Sequence, residues 1–246
     1  MHTGKAEQHS PDAIRKRLRE RTRHTYVGDA VLGGIDGCVT TFAVVAGAVG
    51  GGFSSLVIIV LGIANLLADG FSMAIGNYQG TKSVRDEVDR ARRTEEQEIR
   101  EHPEGEKEEI REIFRLKGFE DKILEDIVDV ITRDRKIWVD TMLTEELGLQ
   151  LEGPEPLRAS LATFGAFIVV GLVPLLPFLT LQDDLSQAFV WSCAMTGLAF
   201  FGIGVAKGFA VDRKPLISGI TTLLIGGIAA VVAYGVGAWL RSQFGA

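Results

Sequence analysis

Cysteine is nearly absent from this chain of 246 residues: only Cys38 and Cys193 occur, each inside an apolar stretch. That excludes a disulfide scaffold. There is no basic excess either. Lys and Arg number 26 against 32 Asp and Glu, for a net charge of −6, which argues against nucleic acid as a partner. No E-x-x-H pair is found, so a ferritin-type di-iron oxidase has no support. No P-loop, Gly-x-Ser-x-Gly or Cys-x-x-Cys pattern occurs, so neither ATP-driven pumping nor common hydrolysis is indicated. The basic N-terminus lacks a short apolar run with a cleavage site, so no removable signal peptide is expected.

Charge itself is missing from most of the chain. Residues 28–79, 159–181 and 185–240 are almost charge-free, whereas 21 of the 32 acids and 14 of the 26 bases crowd into residues 81–150, leaving that stretch at −7. A single soluble globular domain cannot be built this way. The pattern predicts an all-α membrane protein with five transmembrane helices and a cytoplasmic three-helix metal-binding insertion. The spans are expected at 28–50, 53–79, 159–181, 187–209 and 215–240, each long enough to cross ~30 Å of hydrocarbon at ~1.5 Å per residue. The 29 glycines fall mostly in these stretches, as in membrane helices. Gly33, Gly34 and Gly37 form a small-residue face suited to close packing, with a second subunit as one partner. Pro174 and Pro177 are expected to kink the third span.

The links between spans one and two and between spans three and four carry no Lys or Arg. The N-terminal arm (Arg15, Lys16, Arg17, Arg19, Arg21, Arg23) and the link bearing Lys207, Arg213 and Lys214 are basic. The positive-inside rule therefore puts the N-terminus and the insertion in the cytoplasm. Tyr26, Trp191 and Trp239 are placed as interface anchors. The expected organisation is a basic arm (1–26), spans one and two (27–79), the helical insertion (80–157) and spans three to five (158–246). The arm reads as a short amphipathic helix or a partly disordered segment at the membrane surface. In the insertion, residues 80–101 extend span two. His102-Pro103 breaks the pattern, a second helix covers about 104–117 with Gly118 as its C-cap, and a third runs from about 120 to 147. The third has an apolar stripe of Leu124, Ile127, Ile131, Trp138 and Met142.

Helical periodicity locates candidate chemistry. Asn65, Asp69, Met73 and Asn77 lie four apart on one face of span two, and Val84, Val88, Ala91, Glu95 and Glu98 continue it. Glu106, Glu109 and Ile113 share a face of the second helix, and Met142 and Glu146 continue the stripe of the third. A bundle would point Glu95, Glu98, Glu106, Glu109, Met142 and Glu146 inward together. Buried carboxylates without a cation are costly, and a divalent metal is the natural compensation; the Met sulfur favours softer ions such as Fe²⁺ over Mg²⁺ or Ca²⁺. A solvated acidic face is the alternative. In span one, Asp29, Asp36 and Thr40 share a face. Asp36 and Asp69 each lie roughly 15 Å deep. Intramembrane carboxylates are functional by default and suit proton coupling, since burial raises a carboxyl pKa and a metal lowers it. A structural Asp capping a helix broken at the nearby glycines is the competing reading.

The segments DGCVTTFAVVAG (36–47), ADGFSMAIGNY (68–78) and WVDTMLTEELGL (138–149) resemble the vacuolar iron transporter family, from about residue 25 onward. The resemblance implies five-span homodimers that exchange Fe²⁺, often also Mn²⁺, for protons, along a pathway between subunits lined by span one of each. Carried over by motif, it implies Asp36 and Met73 as transport residues and Glu95, Glu98, Glu106, Glu109, Met142 and Glu146 as the cytoplasmic metal set. Asp69, Asp29, Thr40 and Asn65 complete the candidate pathway. One departure stands out: eukaryotic members tend to carry Glu where this chain has Asn65, and here the acid is Asp69, one turn nearer the cytoplasm.

The expected function is a proton-coupled antiporter exporting divalent iron, with manganese as a further substrate. No permanent cofactor is expected; Fe²⁺ or another divalent transition metal is substrate. The expected partners are the membrane, metal ions, protons and a second copy of the chain, and a prokaryotic plasma membrane is the expected location. A membrane-anchored metal sensor or buffer is the alternative, and a membrane ferroxidase a weaker one.

Overall fold

The computed structural model describes residues 10–20, 24–181, 184–210 and 214–244. Among these residues it is helical without strands. Helix α1 is Pro11–Glu20, so the amphipathic part of the basic arm is formed, while Arg21 and Arg23 lie outside the described residues. The helices α2 (Val27–Gly50), α3 (Ser55–Glu101), α7 (Pro156–Gly171) with its continuation to Thr180, α9 (Leu185–Ala210) and α10 (Pro215–Phe244) supply five segments long and apolar enough to cross a membrane. Between them lie α4 (Pro103–Leu116), α5 (Asp121–Arg133), α6 (Arg135–Thr141) and a π-helical turn at Met142–Glu146. The chain divides into two units, Thr25–Gln79 with Glu155–Ala246, and Gly80–Pro154 with the N-terminal stretch. Helix α3 runs without interruption through the end of one and the start of the other.

In the membrane unit α2 is the central helix, and glycine decides what it touches. A Cβ on Gly33 would sit 2.2 Å from the carbonyl oxygen of Thr163, and one on Gly37 2.4 Å from that of Phe167. From the other side, a Cβ on Gly171 would lie 2.8 Å from the Gly37 oxygen. Gly34 faces Val170 and Ile203. The small-residue face expected to be available to a second subunit is thus filled by helices of the same chain, chiefly α7. Small residues let any helix backbone approach, and the periodicity does not say whose. At its other end α2 meets α10, where a Cβ on Gly237 would fall 2.0 Å from the Gly47 oxygen. Around these contacts Cys38, Phe42, Val45, Ile58, Leu175, Phe178 and Phe200 form a buried core.

The third span kinks where proline interrupts it. Pro174 lies in a 3₁₀ turn, Val173–Leu175, and a short helix α8, Leu176–Thr180, restarts with Pro177 in its first turn. Each proline removes an N–H from the ladder. The freed Pro174 carbonyl accepts from the Ser192 hydroxyl of α9 at 2.7 Å.

In the polar unit α4 closes with a Schellman motif. The N–H of Gly118 (φ +92°) donates to the Arg115 carbonyl and that of Phe119 to the Phe114 carbonyl, with the Phe114 and Phe119 rings 6.0 Å apart. A left-handed residue is required there, and glycine takes that conformation without a Cβ penalty. The expected long helix over 120–147 is divided. Asp134 is extended (φ −108°, ψ 112°), and its carboxylate accepts from the backbone N–H groups of Lys136 and Ile137. Asp is a favoured N-cap, so it ends α5 and starts α6. The core of this unit joins Ile99, Ile110, Val128, Ile131, Trp138, Val139, Met142 and Leu143.

Candidate metal centre and membrane carboxylates

Three carboxylates converge in the polar unit. Glu95 and Glu98 lie one turn apart near the end of α3, and Glu106 lies in the first turn of α4 just after the His102-Pro103 break. One carboxylate oxygen from each lies within 4.8 Å of the others. Glu95 and Glu106 are only 4% and 5% exposed, and one oxygen of each has no hydrogen-bond partner. Met142, fully buried, and Glu146 begin and end the π-helical turn. π-Turns recur at functional sites, where they shift side chains out of α-helical register. Not all six candidates are buried: Glu98, Glu109 and Glu146 are exposed, whereas Glu95, Glu106 and Met142 are buried.

The electrostatics are those of one cluster. Burial pushes the Glu95 carboxyl up to about 7, helped by repulsion from Glu146, Glu98 and Glu109. Burial likewise raises Glu106 to about 7, with Glu109, Glu95, Glu98 and Glu146 adding to it. Glu146, though exposed, is raised by the partial loss of water around its carboxyl and by repulsion from Glu109 and Glu98. Several cations of this unit are engaged elsewhere: Arg111 with Glu108 and Glu125, Arg115 with Glu112, Lys117 with Glu145, Arg92 with Asp140. Among the described residues none of the five cluster carboxylates has an ion-pair partner. Uncompensated buried carboxylates form a donor set that suits a divalent ion, and Met142 lies buried in the core of the same unit.

The membrane unit treats its acids in two ways. Asp29 is tied down. Its carboxylate accepts from the Asn77 side-chain amide at 2.8 Å, and the same amide donates to the Thr163 hydroxyl at 2.6 Å, linking α2, α3 and α7. The Thr163 hydroxyl donates in turn to the Ala159 carbonyl at 3.1 Å. Asp36 is half-buried and Asp69 exposed, and their charges lie close enough to repel. Among the described residues neither carboxylate has a hydrogen-bond or ion-pair partner. Thr40 donates its hydroxyl to the Asp36 carbonyl at 2.9 Å, an ordinary bond within its own helix. Met73 and Asn65 are half-buried on the Asp69 face, and the Asn65 amide nitrogen is buried without a partner.

Sequence reasoning placed Asn77 on the polar stripe but missed its role as a pin, and missed Thr163 altogether. A threonine in an apolar run gives no signal until its partner is known. The π-turn was equally invisible, since Met142 and Glu146 are also four apart in an α-helix.

Residues 27–238 match the VIT family. The chain belongs to that family. It is 37% identical to a vacuolar iron transporter of Toxoplasma gondii over 240 residues, covering 94% of this chain and 80% of the relative. It is 35% identical to vacuolar iron transporter 1 of Eucalyptus grandis, covering 88% and 87% of the two chains. With vacuolar iron transporter 1 of Arabidopsis thaliana it shares 36% identity over 85% and 83%. These VIT relatives are named as transporters rather than enzymes.

Proposed function

We propose that this VIT-family chain exports Fe²⁺, with Mn²⁺ as a second substrate, from the cytoplasm in exchange for protons. The observation that carries the reading is the Glu95–Glu98–Glu106 cluster, whose buried oxygens lack any partner. The relatives, vacuolar iron transporters by name, support iron as cargo. In this reading the cluster, with Glu109, Met142 and Glu146, collects metal, and Asp36, Asp69 and Met73 pass it across the membrane. A carboxylate that binds either M²⁺ or H⁺ couples the two fluxes without ATP, because the ion must displace the proton to be held. Asp29 holds the helices in place rather than carrying ions.

Orientation follows from Lys and Arg, which put the N-terminal arm and residues 80–157 on the cytoplasmic side. The working unit is a homodimer. Asp69 is exposed on a membrane-spanning helix, and a charge facing lipid is expensive, so a second copy and a wet passage between copies are its natural cover. The test is Fe²⁺ and proton flux in proteoliposomes with an imposed pH gradient. Metal-dependent proton movement opposite to Fe²⁺ is expected. Metal binding by the full chain without any flux would leave only a sensor or buffer.

A further inference from the structure

Arg92 lies one turn from Glu95 and does not pair with it. Val88, Glu95 and Ile99 are buried on one face of α3, and Arg92 falls on that stripe at the helical spacing, three residues before Glu95. Side chains three apart on a helix are neighbours. Helix α4 uses that spacing three times: Lys107 pairs with Glu104, Arg111 with Glu108 and Arg115 with Glu112. Yet one Glu95 carboxylate oxygen is buried with no hydrogen-bond partner, and the charges that act on Glu95 are those of Glu146, Glu98 and Glu109, all anionic. The Arg92 guanidinium turns instead to another helix and donates to the Asp140 carboxylate of α6 at 2.6 Å, with both side chains half-buried.

That pair is not needed to hold α6 against α3. The Arg135 guanidinium of α6 already donates to the Glu96 carbonyl of α3 at 2.6 Å, and Trp138 and Val139 share a buried core with Ile99. What the pair does alone is occupy Arg92. A guanidinium keeps its charge and carries five N–H donors, so a free one beside a buried, unpartnered carboxylate would bond to it. A carboxylate oxygen held in that way is not available to a metal until the bond is broken.

We propose that Asp140 is a positioning residue that keeps Arg92 away from Glu95, so that the Glu95–Glu98–Glu106 cluster stays open to a divalent metal. The inference rests on the metal-binding reading of that cluster. A guard and a brace differ in sign. Removing Asp140 frees the guanidinium to enter the cluster, whereas removing Arg92 takes the competitor away. A brace is lost equally from either end.

The experiment titrates Mn²⁺, read by electron paramagnetic resonance, into the purified full chain in nanodiscs. Binding lost in Glu95→Gln/Glu106→Gln is assigned to the cluster. Asp140→Asn should weaken that binding about tenfold, the order of one charge-assisted hydrogen bond. Arg92→Met should bind at least as tightly as the wild type, and Asp140→Asn/Arg92→Met should return to within about twofold of it. The melting temperature of metal-free Asp140→Asn should hold, because a pair with Glu95 replaces the lost one. Asp140→Ala and Arg92→Gln, singly and together, form a second set should the first misfold. Equal weakening in Arg92→Met, no recovery in the double variant, or a melting temperature that falls in step with affinity would show a brace and overturn the proposal. Undiminished binding in Asp140→Asn, as when Arg92 turns to Glu96 instead, would overturn it too. Should Glu95→Gln/Glu106→Gln bind like the wild type, the metal reading itself fails, and the guard with it.

Discussion

One cluster in the membrane unit and one in the polar unit treat their polar groups in opposite ways. Around Asp29 every group is answered: Asn77 donates to Asp29 and to Thr163, and Thr163 to Ala159. Around Glu95 and Glu106 nothing is answered, and two carboxylate oxygens stay buried with no donor. A satisfied network fixes geometry, whereas an unsatisfied one is a standing cost that a bound cation removes. The contrast sorts acids that hold the fold from acids left without a partner, and Asp36, half-buried and unpartnered, belongs with the second group, the one that the proposed function assigns to cations.

The sharpest test of that sorting is Asp36→Asn, which keeps the shape and deletes the charge and exchangeable proton. Metal flux and metal-driven proton flux in proteoliposomes should both fall to background, with the protein still folded. Near-normal exchange would move the passage to Asp69. Next in size is a break in the packing on which the pinned unit depends. Gly237→Leu would drive a side chain into the Gly47 carbonyl, 2.0 Å from the ideal Cβ. Backbone cannot yield as a flexible side chain does, so well-folded protein should be largely lost, as judged by size-exclusion profile and thermal melting.

The double variant Glu95→Gln/Glu106→Gln should weaken Fe²⁺ or Mn²⁺ binding by the full chain at least tenfold in equilibrium titration. It also carries a sign. Both carboxyls are raised to about 7 in the folded protein, so between the ordinary carboxyl range and 7 the folded state holds more protons than the unfolded one. Stability of the metal-free polar unit should therefore fall as pH rises from about 4.5 through 7. Metal should restore it at the upper end, where the ligands are ionised. In the double variant that slope should flatten; an unchanged slope in a melting series would show that these acids are merely solvated. The smallest effect is expected at the pin. Thr163→Val leaves the Asn77 amide short of one acceptor and should cost about 1–3 kcal/mol, read as a lower melting temperature with metal affinity unchanged.

Periodicity alone determined much of this protein. Segregated charge set five apolar segments and one polar insertion, because a hydrocarbon core excludes charge. The unbroken helical phase from Asn65 to Glu98 anticipated that span two continues as one helix to Glu101. The same phase put Glu95, Glu106 and Met142 on faces that turn out to be buried. It overreached at Glu98, Glu109 and Glu146, which are exposed, because a helical wheel gives direction but not depth. What only the tertiary structure decided was partnership. Gly33 and Gly37 advertise a close approach, yet that α7 fills it depends on how the third span folds back. Asp29 reads like Asp36 in the sequence, and only Asn77 and Thr163 brought across from two other helices make one a pin and leave the other open. Asp134 breaks a stripe that spacing would have carried through, because its carboxylate finds two backbone N–H groups. Local sequence fixes which face of a helix avoids water; what lies against that face depends on residues distant in the chain, and there the roles of like residues diverge.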